Sequence, residues 1–176
     1  MKKGIIIIVG VVLVLALIFY FDSRGSRSAT RAMEPTAAGP VAAVVTNDLP
    51  QLPLTRLDGS RVVAKDLKGK TVLVLFQPDC DHCQREAVEI RENLDAFKGY
   101  ILYFVSDAAL PQLSKFAEEY ELAGISNIYF AQTTINDIIQ TLGPVEAPSV
   151  FVYSEEGRLV NSFIGETPIE QIKSSL

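Results

Sequence analysis

Apolar residues fall along this chain in three regimes: one continuous block, a stretch with no period, and then alternating strand and helix patterns to the end. Residues 4–21 carry no charge and are dominated by Ile, Val and Leu. Residues 22 to about 48 are rich in Ala, Ser, Thr, Gly, Pro and Arg, with no apolar period. From Leu49 onward the pattern is that of a folded domain. Residues 52–57 and 61–63 flank Asp58-Gly59, a strong turn signal, and predict a small opening hairpin. Lys68-Gly69-Lys70 makes a second turn into residues 71–76, which are apolar nearly throughout, as expected of a central strand covered on both faces. Beyond it Cys83, Ala87, Ile90, Leu94 and Phe97 lie on one helical stripe, with Arg85, Glu89, Glu92 and Asp95 away from it.

Residues 100–105 read as a further strand, and residues 111–120 as a helix with Leu113, Phe116, Ala117 and Tyr120 at helical spacing. Residues 128–130 are a short strand candidate. Residues 134–142 predict a helix capped by Thr134, with Asp137 three residues on, an apolar face of Ile135, Ile138, Ile139 and Leu142, and a stop at Gly143-Pro144. Residues 150–153 and 158–164 form an antiparallel hairpin pattern across Glu155-Glu156-Gly157. Thr167-Pro168-Ile169-Glu170 then opens a last helix, with a capping box and proline at its first position. Strands separated by helices need crossovers and hence parallel pairing, whereas the terminal hairpin is antiparallel. The expected class is therefore α/β with a central mixed sheet flanked by helices.

The first regime changes the picture of where this domain sits. As a helix, residues 4–21 extend roughly 27 Å, close to the hydrocarbon thickness of a bilayer. The competing reading is a cleaved signal peptide. The apolar run is long for that, and no Ala-x-Ala site follows; Ser23-Arg24-Gly25 is a weak substitute. No cysteine lies just after the segment either, which excludes a lipoprotein anchor. The expected organisation is a short flank (1–3), a single transmembrane anchor (4–21), a flexible linker (22–48) and one domain (49–176) of a size that folds as one unit. Lys2 and Lys3 favour an inside N-terminus, while Arg24, Arg27 and Arg31 pull the other way, so flanking charge does not set the orientation. From residue 41 on there are 11 basic and 19 acidic side chains, a net charge of −8, which argues against nucleic acid as a partner.

The chemistry concentrates in Phe76-Gln-Pro-Asp-Cys-Asp-His-Cys-Gln-Arg-Glu86, which holds the only two cysteines, Cys80 and Cys83. A Cys-x-x-Cys pair at a strand-to-helix junction puts the first sulfur at a helix N-terminus. There the unpaired N–H groups and the macrodipole favour the thiolate, the reactive form. The second sulfur lies one turn in, within reach to close a disulfide. Two other readings compete: buried apolar cysteines, or half of a zinc site. A zinc site lacks partners, since there is no third cysteine and the only histidine, His82, lies inside the motif. Redox chemistry in turn favours an extracytoplasmic domain, on the periplasmic or outer face.

With Cys80-Asp-His-Cys83 at that junction and Ala147-Pro148 before the final hairpin, the chain resembles the thioredoxin superfamily, and within it the membrane-anchored TlpA/ResA-like redoxins. The segment from Leu54 to Gly59 and Leu67-Lys-Gly-Lys70 belong to the same resemblance. It implies a thioredoxin-like fold, a cis Pro148 facing the disulfide, and an Ala147 backbone that pairs with a substrate segment. It also implies that Glu86 takes the proton of Cys83; the alternative is a solvated helix glutamate. Two positions depart from the pattern: Asp79 stands where many relatives have tryptophan, and Val74 where thioredoxins carry a buried aspartate. His82 as a cation favours the Cys80 thiolate, whereas Asp79 and Asp81 oppose it, and these contributions nearly cancel.

The expected function is a membrane-tethered protein thiol–disulfide oxidoreductase that uses Cys80, Cys83 and Glu86, binds substrate at Ala147 and Pro148, and is tuned by Asp79, Asp81 and His82. It exchanges with a substrate protein and with a second dithiol partner, calls for no metal or organic cofactor, and leaves the direction of electron flow open. One alternative is a peroxiredoxin-like peroxidase, which wants Thr three residues before its reactive cysteine, where this chain has Gln77. The other is a thioredoxin-like copper-binding or delivery module, with Cys80 and Cys83 as soft donors and His82 assisting.

Overall fold

The computed structural model describes residues 47–176. The predicted membrane anchor (4–21) and nearly all of the linker lie outside them; among the described residues no helix is long and apolar enough to cross a membrane. The chain runs β1 (Pro53–Arg56), β2 (Arg61–Val63), β3 (Thr71–Leu75), α1 (Asp81–Glu92), β4 (Ile101–Ser106), α2 (Leu110–Glu119), β5 (Ile128–Gln132), α3 (Ile135–Leu142), β6 (Ser149–Tyr153), β7 (Leu159–Ile164) and α4 (Ile169–Lys173). The strands form a single mixed sheet in the order β2-β1-β5-β4-β3-β6-β7. β3, β4 and β5 are parallel, because each pair is joined through a crossover helix, while β6 returns antiparallel on the other side of β3. β1 pairs antiparallel with both β2 and β5, and Gly59 supplies the positive φ (80°) in the turn between β1 and β2.

Alternation along the strands divides the core between the two sheet faces. One face carries Val72, Val74, Leu102, Phe104, Ile128, Phe130, Val150 and Val152, covered by α1, α2 and α4 through Ala87, Ile90, Phe116 and Ile172. Phe76 sits at the centre of an aromatic cluster here, with its ring 5.7 Å from Phe104, 4.6 Å from Phe116 and 5.9 Å from Phe130. The opposite face carries Leu73, Leu75, Tyr103, Val105, Ala131, Phe151 and Tyr153, covered by α3 and the opening segment through Leu52, Leu54 and Ile138. β3 is buried at all five positions, as its unbroken apolar run predicts.

Local differences from the sequence pattern have identifiable causes. The helix after the cysteines stops at Glu92, where Asn93 leaves helical geometry (φ −119°, ψ 25°) and its side chain donates to the Glu89 carbonyl at 2.8 Å. Leu94–Phe97 is a separate 3₁₀ turn, which still delivers Phe97 to the core. In α3 Thr134 caps as predicted, accepting from the Asp137 N–H at 3.1 Å. Of its apolar face only Ile138 is buried, whereas Ile135 and Ile139 are each 49 % exposed, because one short helix covers that part of the sheet. The capping box predicted at Thr167 does not form. α4 begins at Ile169, and the Thr167 hydroxyl donates to the Gly165 carbonyl at 3.0 Å instead.

Candidate active site

β3 is the most enclosed strand of the sheet, and the cysteines follow directly from its C-terminal end. Phe76 continues its line, with its N–H donated to Val105 at 3.1 Å, and the chain then leaves the sheet through Gln77-Pro78-Asp79. A turn closes when the Cys80 N–H donates to the Gln77 carbonyl at 3.2 Å. Cys80 is the N-cap of α1, in extended geometry (φ −96°, ψ 115°), and its carbonyl accepts the Gln84 N–H at 3.0 Å. Asp81 occupies the first turn of the helix, where its charge complements the dipole. The predicted junction of strand, cysteine and helix is thus built from ordinary backbone hydrogen bonds.

The two sulfurs have different surroundings. Both are free thiols; Cys80 is part-exposed and Cys83 is buried, only 2 % exposed, on the stripe of α1 that faces the core. The Gln77 N–H donates to Cys83 Sγ at 3.4 Å, an interaction with no signal in the sequence. The Gln77 side chain is itself pinned, donating to Asp107 at 2.5 Å and accepting from the Ser106 hydroxyl at 3.2 Å. Burial first, then a hydrogen bond with the Cys80 thiol, pushes the Cys83 thiol up to about 12; the Gln77 N–H works against this, and the Glu86 charge adds a little to it.

Glu86 is not a solvated helix residue: it is 2 % exposed, and neither carboxylate oxygen has a hydrogen-bond partner among the described residues. Desolvation pushes its carboxyl up to about 8, and the charges of Glu89 and Glu166 push the same way. The Thr167 backbone N–H, second only to burial, pulls against them without closing a full hydrogen bond. The sequence placed Glu86 one turn beyond Cys83 but left its environment open. Part of that environment comes from Thr167, which the chain brings back only after four more strands and two more helices.

The Ala147–Pro148 peptide is cis. Because Leu75 pairs with Ser149, one further step along the register sets Pro148 opposite Phe76, at the mouth of the cysteine loop. Pro148 is anchored by its carbonyl, which accepts the Gly165 N–H at 2.8 Å, and the Ser149 hydroxyl donates to the Glu146 carbonyl at 2.5 Å. Ala147 and Cys80 both pack, part-buried, on the core cluster that holds Cys83. The fold thus gathers Cys80, Cys83, Glu86, Ala147 and Pro148 at one end of β3.

Asp79, Asp81 and His82 are all exposed around this end. Neither aspartate forms an ion pair among the described residues, but His82 does. Its Nδ1 lies within hydrogen-bonding distance of Glu166 Oε2 and 2.7 Å from Arg85 Nη2. Arg85 in turn grips Glu166 with both prongs, Nε at 2.7 Å and Nη2 at 2.8 Å, the planar fork arrangement that carboxylates favour. Arg85 first and His82 second hold the Glu166 carboxyl at about 2. Glu166 lies 84 residues from His82, so no local spacing could have pointed to it. Among the described residues no three His, Cys, Asp or Glu side chains gather as a metal-binding group.

Residues 45–162 match the AhpC/TSA family. The thiol-disulfide oxidoreductase ResA of Bacillus thuringiensis subsp. konkukian is 25 % identical over 136 residues, covering 75 % of this chain and 76 % of ResA. Among solved structures, MTB dsbF in its mixed oxidized and reduced forms superposes with a TM-score of 0.60 at 19 % identity, over 74 % of this chain and 95 % of that one. ScoI of Arabidopsis thaliana with copper bound superposes at 0.57 and 18 % identity, over 71 % and 92 %. These structural likenesses establish a thioredoxin-like fold with a mixed sheet between helices.

Proposed function

The chain belongs to the AhpC/TSA family and is a ResA-like redoxin, and from that footing we propose that it is a protein thiol–disulfide oxidoreductase tethered to a membrane by residues 4–21. The observation that carries this reading is the asymmetry of the two sulfurs. Cys80 is accessible at the N-cap of α1, while Cys83 is buried against it with its thiol pushed up to about 12. An exposed nucleophile and a sequestered partner in contact with it are what sequential disulfide exchange requires.

In the reducing direction the Cys80 thiolate attacks one sulfur of a substrate disulfide. A Cys80–substrate bond forms, the substrate S–S bond breaks, and the departing thiolate takes up a proton. Cys83 then gives its proton to the Glu86 carboxylate and attacks Cys80 Sγ, which expels the second substrate thiolate and leaves the Cys80–Cys83 disulfide. Two electrons pass to the substrate, and a second dithiol protein restores the reduced pair. In the resting dithiol the proton lies far on the Cys83 side. Once Cys80 is bound in a mixed disulfide it no longer hydrogen-bonds to Cys83 as a thiol, and one of the causes holding the Cys83 proton is gone. Glu86, held at about 8, is protonated in most molecules at neutral pH, and its ionised fraction, which grows as pH rises toward 8, is then the base within the same buried region.

Ala147 and the cis Pro148 form the substrate platform, beside the exposed sulfur. Asp79, Asp81 and His82 set the local field, with His82 hydrogen-bonded to Glu166. The same atoms run in either direction, and the reduction potential decides which: about −270 mV marks a reductase and about −120 mV an oxidant. An oxidising, extracytoplasmic compartment is where such a pair has disulfide-bearing clients. A peroxidase role is disfavoured because Gln77, three residues before Cys80, spends its side chain on Asp107 and Ser106.

The deciding experiment is trapping. Cys83→Ser should accumulate mixed disulfides through Cys80, and Cys80→Ser should accumulate none. Adducts only through Cys83, or rapid peroxide consumption with no disulfide exchange, would overturn the assignment.

A further inference from the structure

Away from the cysteines, a cavity of about 860 Å³ opens between the β1–β2 hairpin, the Asp66–Lys68 turn and the first halves of β4 and β5. It lies on the opposite sheet face from Cys83, on the side of Tyr103 and Leu73. Its walls are apolar where Val62, Leu67 and Ile101 line it, and aromatic where Tyr129 stacks on Tyr103 with centroids 5.1 Å apart and planes at 20°. The Arg56 guanidinium lies over both rings, 4.6 Å from the Tyr129 centroid and 5.3 Å from that of Tyr103.

The donors in this cavity outnumber their acceptors. Arg56 donates through Nη2 to the Tyr103 hydroxyl, which itself donates to nothing among the described residues. Among the described residues Nε of Arg56 is buried without a partner, and Nη1 forms no hydrogen bond. Asp58, the acid on the same hairpin, accepts from the Ser60 N–H at 2.8 Å and feels the Arg56 charge without forming an ion pair with it. Arg61 and Lys68 also line the cavity, against the single carboxylate of Asp66. Among the described residues none of these three cations forms an ion pair, whereas Arg85, Arg91, Lys98, Arg158 and Lys173 all do. Three of the six basic residues without an ion pair among the described residues thus line one apolar, aromatic-walled hollow. A ligand matching this has one anionic, hydrogen-bond-accepting end and a flat apolar body.

We propose that this cavity is a binding site for a small organic carboxylate, its anionic end held by Arg56 and its apolar body against Tyr129, Val62, Leu67 and Ile101. The site shares no residue with the cysteine centre, so it stands or falls independently of the redox assignment. The test uses the full chain in lipid nanodiscs, titrated with phenylbutyrate and separately with its uncharged amide. Binding is read from amide NMR shifts and from the fluorescence of the tyrosines in this Trp-free chain. Phenylbutyrate should bind at least about tenfold more tightly than the amide, a difference of about 1.4 kcal/mol, with shifts centred on Val62, Ile101 and Tyr129. Arg56→Gln should remove most of that preference. Val62→Glu, which leaves the Arg56–Tyr103 contact intact and brings a repelling carboxylate to the wall, should weaken binding by a similar factor and decides the matter if Arg56→Gln fails to fold. No binding at millimolar probe, equal binding of acid and amide, or shifts elsewhere in the chain would each overturn the proposal.

Discussion

Replacing Glu86 by Gln should make the folded protein more stable at neutral pH while slowing its chemistry. The carboxyl is buried with no hydrogen-bond partner, and its pKa is raised from 4.5 to about 8. The folded state therefore holds this proton more tightly than the unfolded chain does. Below pH 4.5 both states are protonated and the group is neutral in both. Between 4.5 and 8 the folded state binds more protons, so stability falls as pH rises, and the loss is complete above 8. A rise of that size corresponds to about 5 kcal/mol in total, of which about 3 kcal/mol is already lost at pH 7. Gln is neutral at every pH and nearly the same size, so Glu86→Gln should match the parent near pH 4 and exceed it by about 3 kcal/mol at pH 7, or about 10 °C in Tm. The assay is urea denaturation of the reduced proteins from pH 4 to 9, taken as the difference between variant and parent so that all other titrations cancel. A difference that stays flat with pH, or a variant less stable throughout, would refute the burial argument. In the same variant, resolution of a Cys80 mixed disulfide should slow by about a hundredfold, the lower range for loss of a general base.

Other perturbations test separate parts of the structure. Glu166→Gln removes the anion that Arg85 and His82 share; the unneutralised Arg85 guanidinium then favours the Cys80 thiolate, and the disulfide should become more oxidising in a glutathione titration. A shift toward a more reducing potential would contradict that account. Phe104→Ala empties a fully buried position that stacks on Phe130 and meets Phe76 edge-on, and should cost about 3–5 kcal/mol by chemical denaturation. Thr134→Ala deletes the cap that accepts the Asp137 N–H and should cost about 1 kcal/mol, with faster amide exchange confined to the first turn of α3.

Much of this protein was legible before any coordinates, because much of it is local. The apolar run at residues 71–76 meant a strand with both faces covered, and β3 is buried throughout. The Thr134 cap and the Cys80–Cys83 spacing on a helix start are each settled by interactions within one turn of chain. Other features of the site depend on segments far apart in sequence. Glu86 looked equally like a solvated residue, and only the fold shows it buried, with the Thr167 backbone N–H beside it. The partner of His82 and Arg85 lies on the loop before α4. Ile135 and Ile139 read as core and are half exposed, since periodicity reports which face of a helix is apolar, not whether anything covers it.

Sequence by itself determined most of the elements, the chemistry of two thiols a helical turn apart, and the acidic charge of the domain. Tertiary structure alone decided which sulfur is exposed, whether the glutamate beside them is dry, and what lines the cavity beneath Arg56. The reason is that propensity and period act over a few residues. Burial and electrostatic environment are set by whichever distant segments pack against a group, and no spacing along the chain records that.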